Sequence, residues 1–214
     1  MIGFIGGTGP EGRSLARRFA LSGQKVIVGS RSKARADAAV AKIVERAPSS
    51  LVTAALNAEA AQMGEVVFVV VPYTAQRSIL EPLANQLAGK IVVNAVAPVT
   101  VSGGMASAVE IPEGSAALQA QSILPRSEVV AAFHTISAND LWRTEDPIES
   151  DVVVCANDRD ARDTVFGLVE SIPRLRAIDG GGLENATYVE RFTALLLNIN
   201  RRYKAHSAIR IVGI

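Results

Sequence analysis

A disulfide framework needs pairs of cysteines, and this chain has one cysteine, Cys155. It lies inside the apolar run Val152 to Ala156, where a buried, inert thiol is expected in place of a nucleophile or a metal ligand. Histidine is nearly as scarce, with only His134 and His206, and no metal site is expected. Charge of one sign is missing too: 22 Lys and Arg against 21 Asp and Glu leave a net +1, with the two signs interspersed. No field of the whole molecule therefore draws it to nucleic acid or to a membrane surface, and small-molecule chemistry is favoured. No apolar segment approaches the length of a membrane span, and the chain opens on a core strand without a charged leader, so a cytoplasmic location is expected. Internal repeats and low-complexity linkers are absent as well.

What the chain does have is enough apolar residue for one enzyme-sized core. Its 214 residues, 49% hydrophobic and 20% charged, can bury a full doubly wound sheet but leave little room for a large separate substrate domain. The first thirty residues read as strand, glycine turn, helix, strand. Ile2, Phe4 and Ile5 lead into Gly6-Gly7-Thr8-Gly9-Pro10-Glu11-Gly12, a helical stretch follows from Arg13 to Leu21, and Val26-Ile27-Val28 ends in Gly29-Ser30-Arg31. In this G-x-G-x-x-G pattern Gly7 is expected to make the tight turn, Gly9 to let a pyrophosphate approach the backbone, and Gly12 to let the helix pack against the strand. The helix N-terminus then faces the phosphates.

The end of the second strand selects the dinucleotide. A site for NAD usually places Asp or Glu there to bind the ribose 2′-hydroxyl, whereas this chain places Ser30 and Arg31, with Lys33 and Arg35 just beyond. Arg31 offers a planar fork of donors to a 2′-phosphate, Ser30 a hydroxyl, and Arg35, one helical turn later, reaches the same face. NADP(H) is the expected cofactor.

Beyond Lys33 the chain alternates helix and strand in the manner of a parallel sheet. Strands are expected at Leu51 to Ala54, Val66 to Val71, Lys90 to Asn94, Val129 to Phe133, Asp151 to Cys155 and Leu175 to Ile178. Helices are expected at about Lys33–Arg46, Asn57–Met63, Ala75–Leu87, Ala116–Ile123, Asp160–Ser171 and Asn185–Tyr203, and the stretch from Ala95 to the glycines 103 and 104 reads as irregular. The fold class is α/β: a Rossmann-type, doubly wound, mostly parallel sheet with a small C-terminal α/β extension. Residues 1–138 form its NADP-binding domain, and residues 139–214 complete the substrate cleft and the oligomer contacts. Ligands in such sheets bind outside the carboxyl ends of the strands, which singles out Val71-Pro72-Tyr73, Val96-Ala97-Pro98 and His134-Thr135-Ile136 beside the glycine loop. His134 is the candidate catalytic residue, as a ring-contacting or hydrogen-bonding group before a proton donor. On the last helix, Val189, Phe192, Leu195, Leu196, Ile199 and Tyr203 recur at spacings of three and four, and Ala194 and Leu197 widen the stripe. A helix apolar over so much of its circumference needs a second surface, so a homodimer is expected.

At this point the chain resembles a known family. Gly6-Gly7-Thr8-Gly9-Pro10-Glu11-Gly12, Gly29-Ser30-Arg31, Val71-Pro72-Tyr73, Ala97-Pro98-Val99, Phe133-His134-Thr135-Ile136 and Leu195-Leu196-Leu197-Asn198-Ile199 stand in the order and spacing of the F420H2:NADP oxidoreductases. The resemblance spans nearly the whole chain and departs in the segment Asn139 to Ser150 and after Arg201. It implies hydride transfer between NADP(H) and the deazaflavin coenzyme F420, with Thr8, Ser30, Arg31 and Arg35 around the 2′-phosphate and His134 and Ile136 at the deazaflavin pocket. Such chemistry needs two rings held together and water kept out, since the reactivity belongs to the cofactors. A relative that reduces a flavin, a quinone, a metal chelate or a small carbonyl compound would keep most of these residues, and a non-catalytic NADP(H)-binding redox sensor would keep the first site alone.

Overall fold

Unbroken apolar strands form where both faces of a sheet are covered, and β1 (Ile2–Ile5) and β4 (Val66–Val69) are buried at every position. The computed structural model describes residues 1–145 and 148–214; Asp146 and Pro147, inside the segment that departs from the family pattern, lie outside the described residues. After β1 come α1 (Pro10–Leu21), β2 (Val26–Ser30), α2 (Lys33–Val44), β3 (Val52–Leu56) and α3 (Asn57–Met63). Past β4 follow α4 (Tyr73–Leu80), α5 (Ala84–Leu87), β5 (Ile91–Asn94), the hairpin β6 (Val99–Ser102) and β7 (Met105–Ala108), α6 (Ala116–Ile123) and β8 (Glu128–Ala131). The remaining chain forms α7 (Ala138–Trp142), β9 (Ser150–Ala156), α8 (Arg159–Glu170), β10 (Leu175–Asp179) and α9 (Ala186–Tyr203).

The main sheet runs in the order β10-β9-β8-β5-β4-β1-β2-β3, so the chain reverses its winding at β1, between β4 and β2. This is the doubly wound, Rossmann-type arrangement, mostly parallel, with ligand space at the switch point. Register aligns the carboxyl ends: Ile5 pairs with Val69, Val69 with Asn94, and Asn94 with Ala131. The residues that follow those positions therefore emerge on one edge of the sheet. β9 runs antiparallel to β8, with Ala131 opposite Cys155, and β10 continues parallel to β9.

α1 begins with Pro10 in its first turn, where a missing N–H costs nothing, and buries Leu15, Ala16, Phe19 and Ala20. Phe19 joins Phe4, Phe68 and Phe133 in an aromatic core, with Phe4 and Phe68 stacked at 5.1 Å and Phe19 edge-on to Phe133 at 6.1 Å. Cys155 is fully buried and its thiol is pushed up to about 11 by burial, an inert group as expected.

Several segments depart from the sequence reading. The strand expected through Val71 ends at Val69, and the helix expected from Ala75 to Leu87 starts at Tyr73 and is interrupted by a 3-10 turn at Glu81–Leu83, where Pro82 supplies no N–H. The stretch read as irregular contains the β6–β7 hairpin. Gly103 and Gly104 both take positive φ, +56° and +77°, the geometry that suits a two-residue hairpin turn. Asn198 of α9 holds this hairpin, accepting from the Ala106 N–H and donating to its carbonyl, each at 2.8 Å. α7, which has no apolar periodicity to announce it, is fastened to α1 by Arg18, whose guanidinium donates to the carbonyls of Asp140, Leu141 and Arg143 at 2.7–2.8 Å. Arg17 packs on the Trp142 ring, 4.5 Å from its centroid.

The stripe on α9 is divided between two environments. Ala194 and Leu196 are buried, whereas Phe192, Leu195 and Tyr203 are exposed together with Tyr188. No helix among the described residues is long and apolar enough to cross a membrane.

Candidate active site

Two clefts open at the carboxyl edge of the sheet, on either side of the junction between Gly9 and Pro10. The first, about 240 Å³, is lined by Gly6, Thr8, Gly9, Ser30, Arg31, Arg35, Asn57, Val70, Val71, Pro72, Ala75 and Ile79. Gly6, and not Gly7, makes the tight turn: its φ is +74°, and a Cβ there would collide with Val71 and with the Val70 carbonyl. Gly7 instead packs against Phe4, whose Cβ lies 2.8 Å from where its own would stand, and a Cβ on Gly12 would come within 2.6 Å of Gly7 Cα, so that a glycine here lets the helix lie close against the loop. Gly9 is different. A Cβ there would touch no protein atom and would point into open space, in a residue that lines the cleft.

Electrostatics of this cleft suit an anion. Gly9 caps α1 without a side chain, so the first-turn N–H groups have no side-chain acceptor and the positive end of the helix faces the opening. No carboxylate among the described residues lines it. Lys33 is neutralised by Asp37, whereas Arg31 and Arg35 have no acidic partner among the described residues. A smaller depression continues past Thr8 and Arg35 to Arg13 and Lys42. The residues present therefore fit a dinucleotide with a 2′-phosphate. Asn57, which the sequence reading passed over, accepts the Gly6 N–H at 3.1 Å and holds the loop in place.

The second cleft, about 480 Å³, is bounded by Pro10 and Glu11 from the glycine loop, Ala95 and Ala97 after β5, Phe133 to Asn139 after β8, and Thr193, Leu196, Leu197, Asn200 and Ser207 from α9 and the tail. Phe133 takes a positive φ of +68°, unusual for a bulky residue, which turns its ring into the aromatic core and delivers His134 to the cleft. Thr193 donates to the His134 carbonyl at 3.0 Å. The His134 side chain is 6% exposed and neither ring nitrogen has a partner; burial lowers its pKa to about 4, so the imidazole is neutral. Glu11 is half-buried, with one carboxyl oxygen sealed from solvent and unpartnered. Burial raises its carboxyl to about 8. The α1 N-terminus opposes this by at most about 2 kcal/mol for a partly buried group, less than the roughly 5 kcal/mol that a rise from 4.5 to about 8 represents, so burial decides.

Unpartnered buried groups cost about 1–3 kcal/mol each, and two of them in one apolar-walled cleft mark a place built for a polar-edged, flat ligand. Behind the cleft, Gln76 and Asn94 form a buried network: Asn94 donates to Gln76 at 2.8 Å and accepts the Val96 N–H at 3.2 Å, fixing the turn that carries Ala95 and Ala97.

Of the residues singled out from sequence, Thr8, Gly9, Ser30, Arg31, Arg35, Val71 and Pro72 gather at the first cleft, and Pro10, Glu11, Ala97, His134 and Ile136 at the second. Gly7 and Gly12 stand behind the loop. Tyr73, Val96 and Pro98 line neither cleft. The Tyr73 hydroxyl accepts from Gln119, and Val96 and Pro98 are buried, because the chain turns inward after Asn94. His206 lies at the surface, bonded to Asp140 at 2.9 Å.

Residues 1–98 match a protein family described as NADP oxidoreductase, coenzyme F420-dependent. Over 220 aligned positions the chain is 38% identical to the F420-dependent NADP reductase of Methanothermobacter thermautotrophicus, covering 100% of this chain and 95% of that protein. The protein of the same name from Methanocaldococcus jannaschii is 36% identical over 220 positions, at 100% and 98% coverage. A crystal structure described as a putative F420-dependent NADP-reductase from Arthrobacter sp. FB24 superposes with a TM-score of 0.85 at 25% identity, over 99% of each chain. With full-length identity at this level and the same doubly wound sheet, the chain belongs to the F420-dependent NADP reductase family.

Proposed function

We propose that this protein is an oxidoreductase that transfers a hydride between NADP(H), held in the first cleft, and coenzyme F420, held in the second. The observation that carries the reading is that the two clefts flank consecutive residues, Gly9 lining one and Pro10 the other, the first with unpaired cationic donors and no carboxylate among the described residues, the second apolar-walled with a neutral, unpartnered His134. The cofactors supply the chemistry, a hydride passing from C4 of the nicotinamide to C5 of the deazaflavin. The chain supplies position: Thr8, Ser30, Arg31 and Arg35 anchor the 2′-phosphate end, the α1 N-terminus takes the pyrophosphate, and His134 and Ile136 place the second ring. Reacting atoms must be held at about 3–3.5 Å for such a transfer, which requires walls on both sides and little else. The open second cleft favours a catalyst over a sensor that only binds NADP(H).

Residues 1–138 act as the dinucleotide-binding part, and residues 139–214 complete the second cleft and the contacts of a homodimer working in the cytoplasm. The exposed apolar residues Tyr188, Phe192, Leu195 and Tyr203 of α9 and Val101 and Met105 of the hairpin support the dimer. The acceptor is tested by mixing the protein with NADPH and F420 and following loss of the deazaflavin absorbance, with FMN, FAD and quinones in parallel. Rapid bleaching with F420 is expected; turnover of the other acceptors but not of F420 would reject the assignment.

A further inference from the structure

We propose that Glu11 faces the second substrate as a neutral carboxylic acid and that its ionisation expels this ligand, so that one residue of the glycine loop sets the upper pH limit for deazaflavin binding. The inference rests on the reading of the second cleft as the deazaflavin site. Its basis is geometric: Glu11 lines that cleft, its Oε1 is sealed from solvent without a hydrogen-bond partner, and His134, 6% exposed and unpartnered at both ring nitrogens, lines the same wall. Protonated, the carboxyl donates a hydrogen bond to a carbonyl or anionic oxygen of the ring; ionised, it can only accept, and it repels a deazaflavin whose phosphate and carboxylates make it an anion. Burial, which raises the Glu11 carboxyl to about 8, puts the change within reach of ordinary assay conditions.

Among the described residues no other charge near the cleft substitutes for it, and His134, held neutral, is the only other titratable group in the wall. At the rim Asp140 is bonded to His206. On α1 itself Arg13 leans toward Trp142, 5.9 Å from the ring centroid, and Arg35 and Lys42 of α2 border the separate depression beside Thr8. Glu190 of α9 is turned to the N-terminus of α6.

Oxidised F420 and NADPH are titrated separately by fluorescence from pH 6 to 9.5 against the wild type and Glu11→Gln, which keeps a donor and cannot ionise. The Kd for F420 is expected to rise about fivefold from pH 8 to 9 in the wild type beyond any slope shared with the variant, whose shared slope reports F420 alone. Parallel profiles for the two proteins, or an excess slope seen for NADPH in place of F420, would overturn the proposal. Carbon-13 spectra of the glutamate carboxyls, assigned by loss of one signal in Glu11→Gln, read the residue without any ligand. A midpoint near 8 supports the neutral acid and a midpoint near 4.5 overturns it. Failure of F420 to bind either protein at any pH would sink the acceptor assignment separately.

Discussion

At Gly9 a side chain would meet no protein atom and would enter the first cleft, where NADP(H) is proposed to bind. Gly9→Val is therefore expected to melt within a few degrees of the wild type while losing NADPH binding by at least about a hundredfold, measured by circular dichroism and by titration. Gly12→Val would instead drive a Cβ against Gly7 Cα and lower the melting temperature itself. Arg31 presents a similar clean test, because no carboxylate competes for its guanidinium. A charged hydrogen bond to phosphate is worth about 1.5–3 kcal/mol, so Arg31→Ala should cut the preference for NADPH over NADH roughly ten- to a hundredfold; an unchanged ratio would place the 2′-phosphate elsewhere. At this scale the donors Ser30 and Arg31 were readable because they stand where a carboxylate is usual. Gly6 was not, since two adjacent glycines cannot be told apart until φ is known, and neither was Asn57, because β3 runs two residues past the apolar run that marks it and only the fold puts Asn57 at a strand's carboxyl end.

Among the elements, α6 owes its N-terminus to a residue 74 positions away. Glu190, 1% exposed, accepts the N–H of Ala116 at 2.7 Å and of Ala117 at 3.0 Å, while Ser115 caps the Leu118 N–H. Glu190→Ala would leave two buried N–H groups unpaired, at about 1–3 kcal/mol each, and is expected to lower the melting temperature by roughly 5–15 °C. Burial raises the Glu190 carboxyl to about 7. A raised acid stabilises the fold below the unfolded value near 4.5 and loses that contribution as pH climbs through 7, about 3 kcal/mol in all. Glu190→Gln should reduce the fall of stability measured by urea unfolding between pH 4.5 and 7.5 by that amount, leaving the part that the raised Glu11 carboxyl contributes over the same range. His134 acts in the opposite sense, its depressed value withdrawing stability as pH drops from about 6.5 to 4. The parallel strands were legible because continuous apolar runs have few other uses. The hairpin and α7 were not: one depends on two glycines whose handedness only the fold reveals, the other on Arg18, more than a hundred residues away.

For the molecule as a whole, the alternation of strand and helix foretold the doubly wound sheet. The reversal at β9 escaped, since a strand's direction depends on which neighbour it pairs with and leaves no mark in its own residues. The exposed α9 face with Val101 and Met105 predicts a particle of twice the chain mass by light scattering at micromolar concentration; a clean monomer with full activity would reject the homodimer. The clamp between Arg18 and α7 has a different bearing. Because Arg18 grips main-chain carbonyls, the side chains at Ala138 and Asn139 can be exchanged while the helix that borders the second cleft keeps its place. Exchanges at Ala138 and Asn139 are thus expected to spare the fold and loss of Arg18 to release α7, so that, on the proposed placing of the acceptor in this cleft, its range could be redrawn without rebuilding the fold.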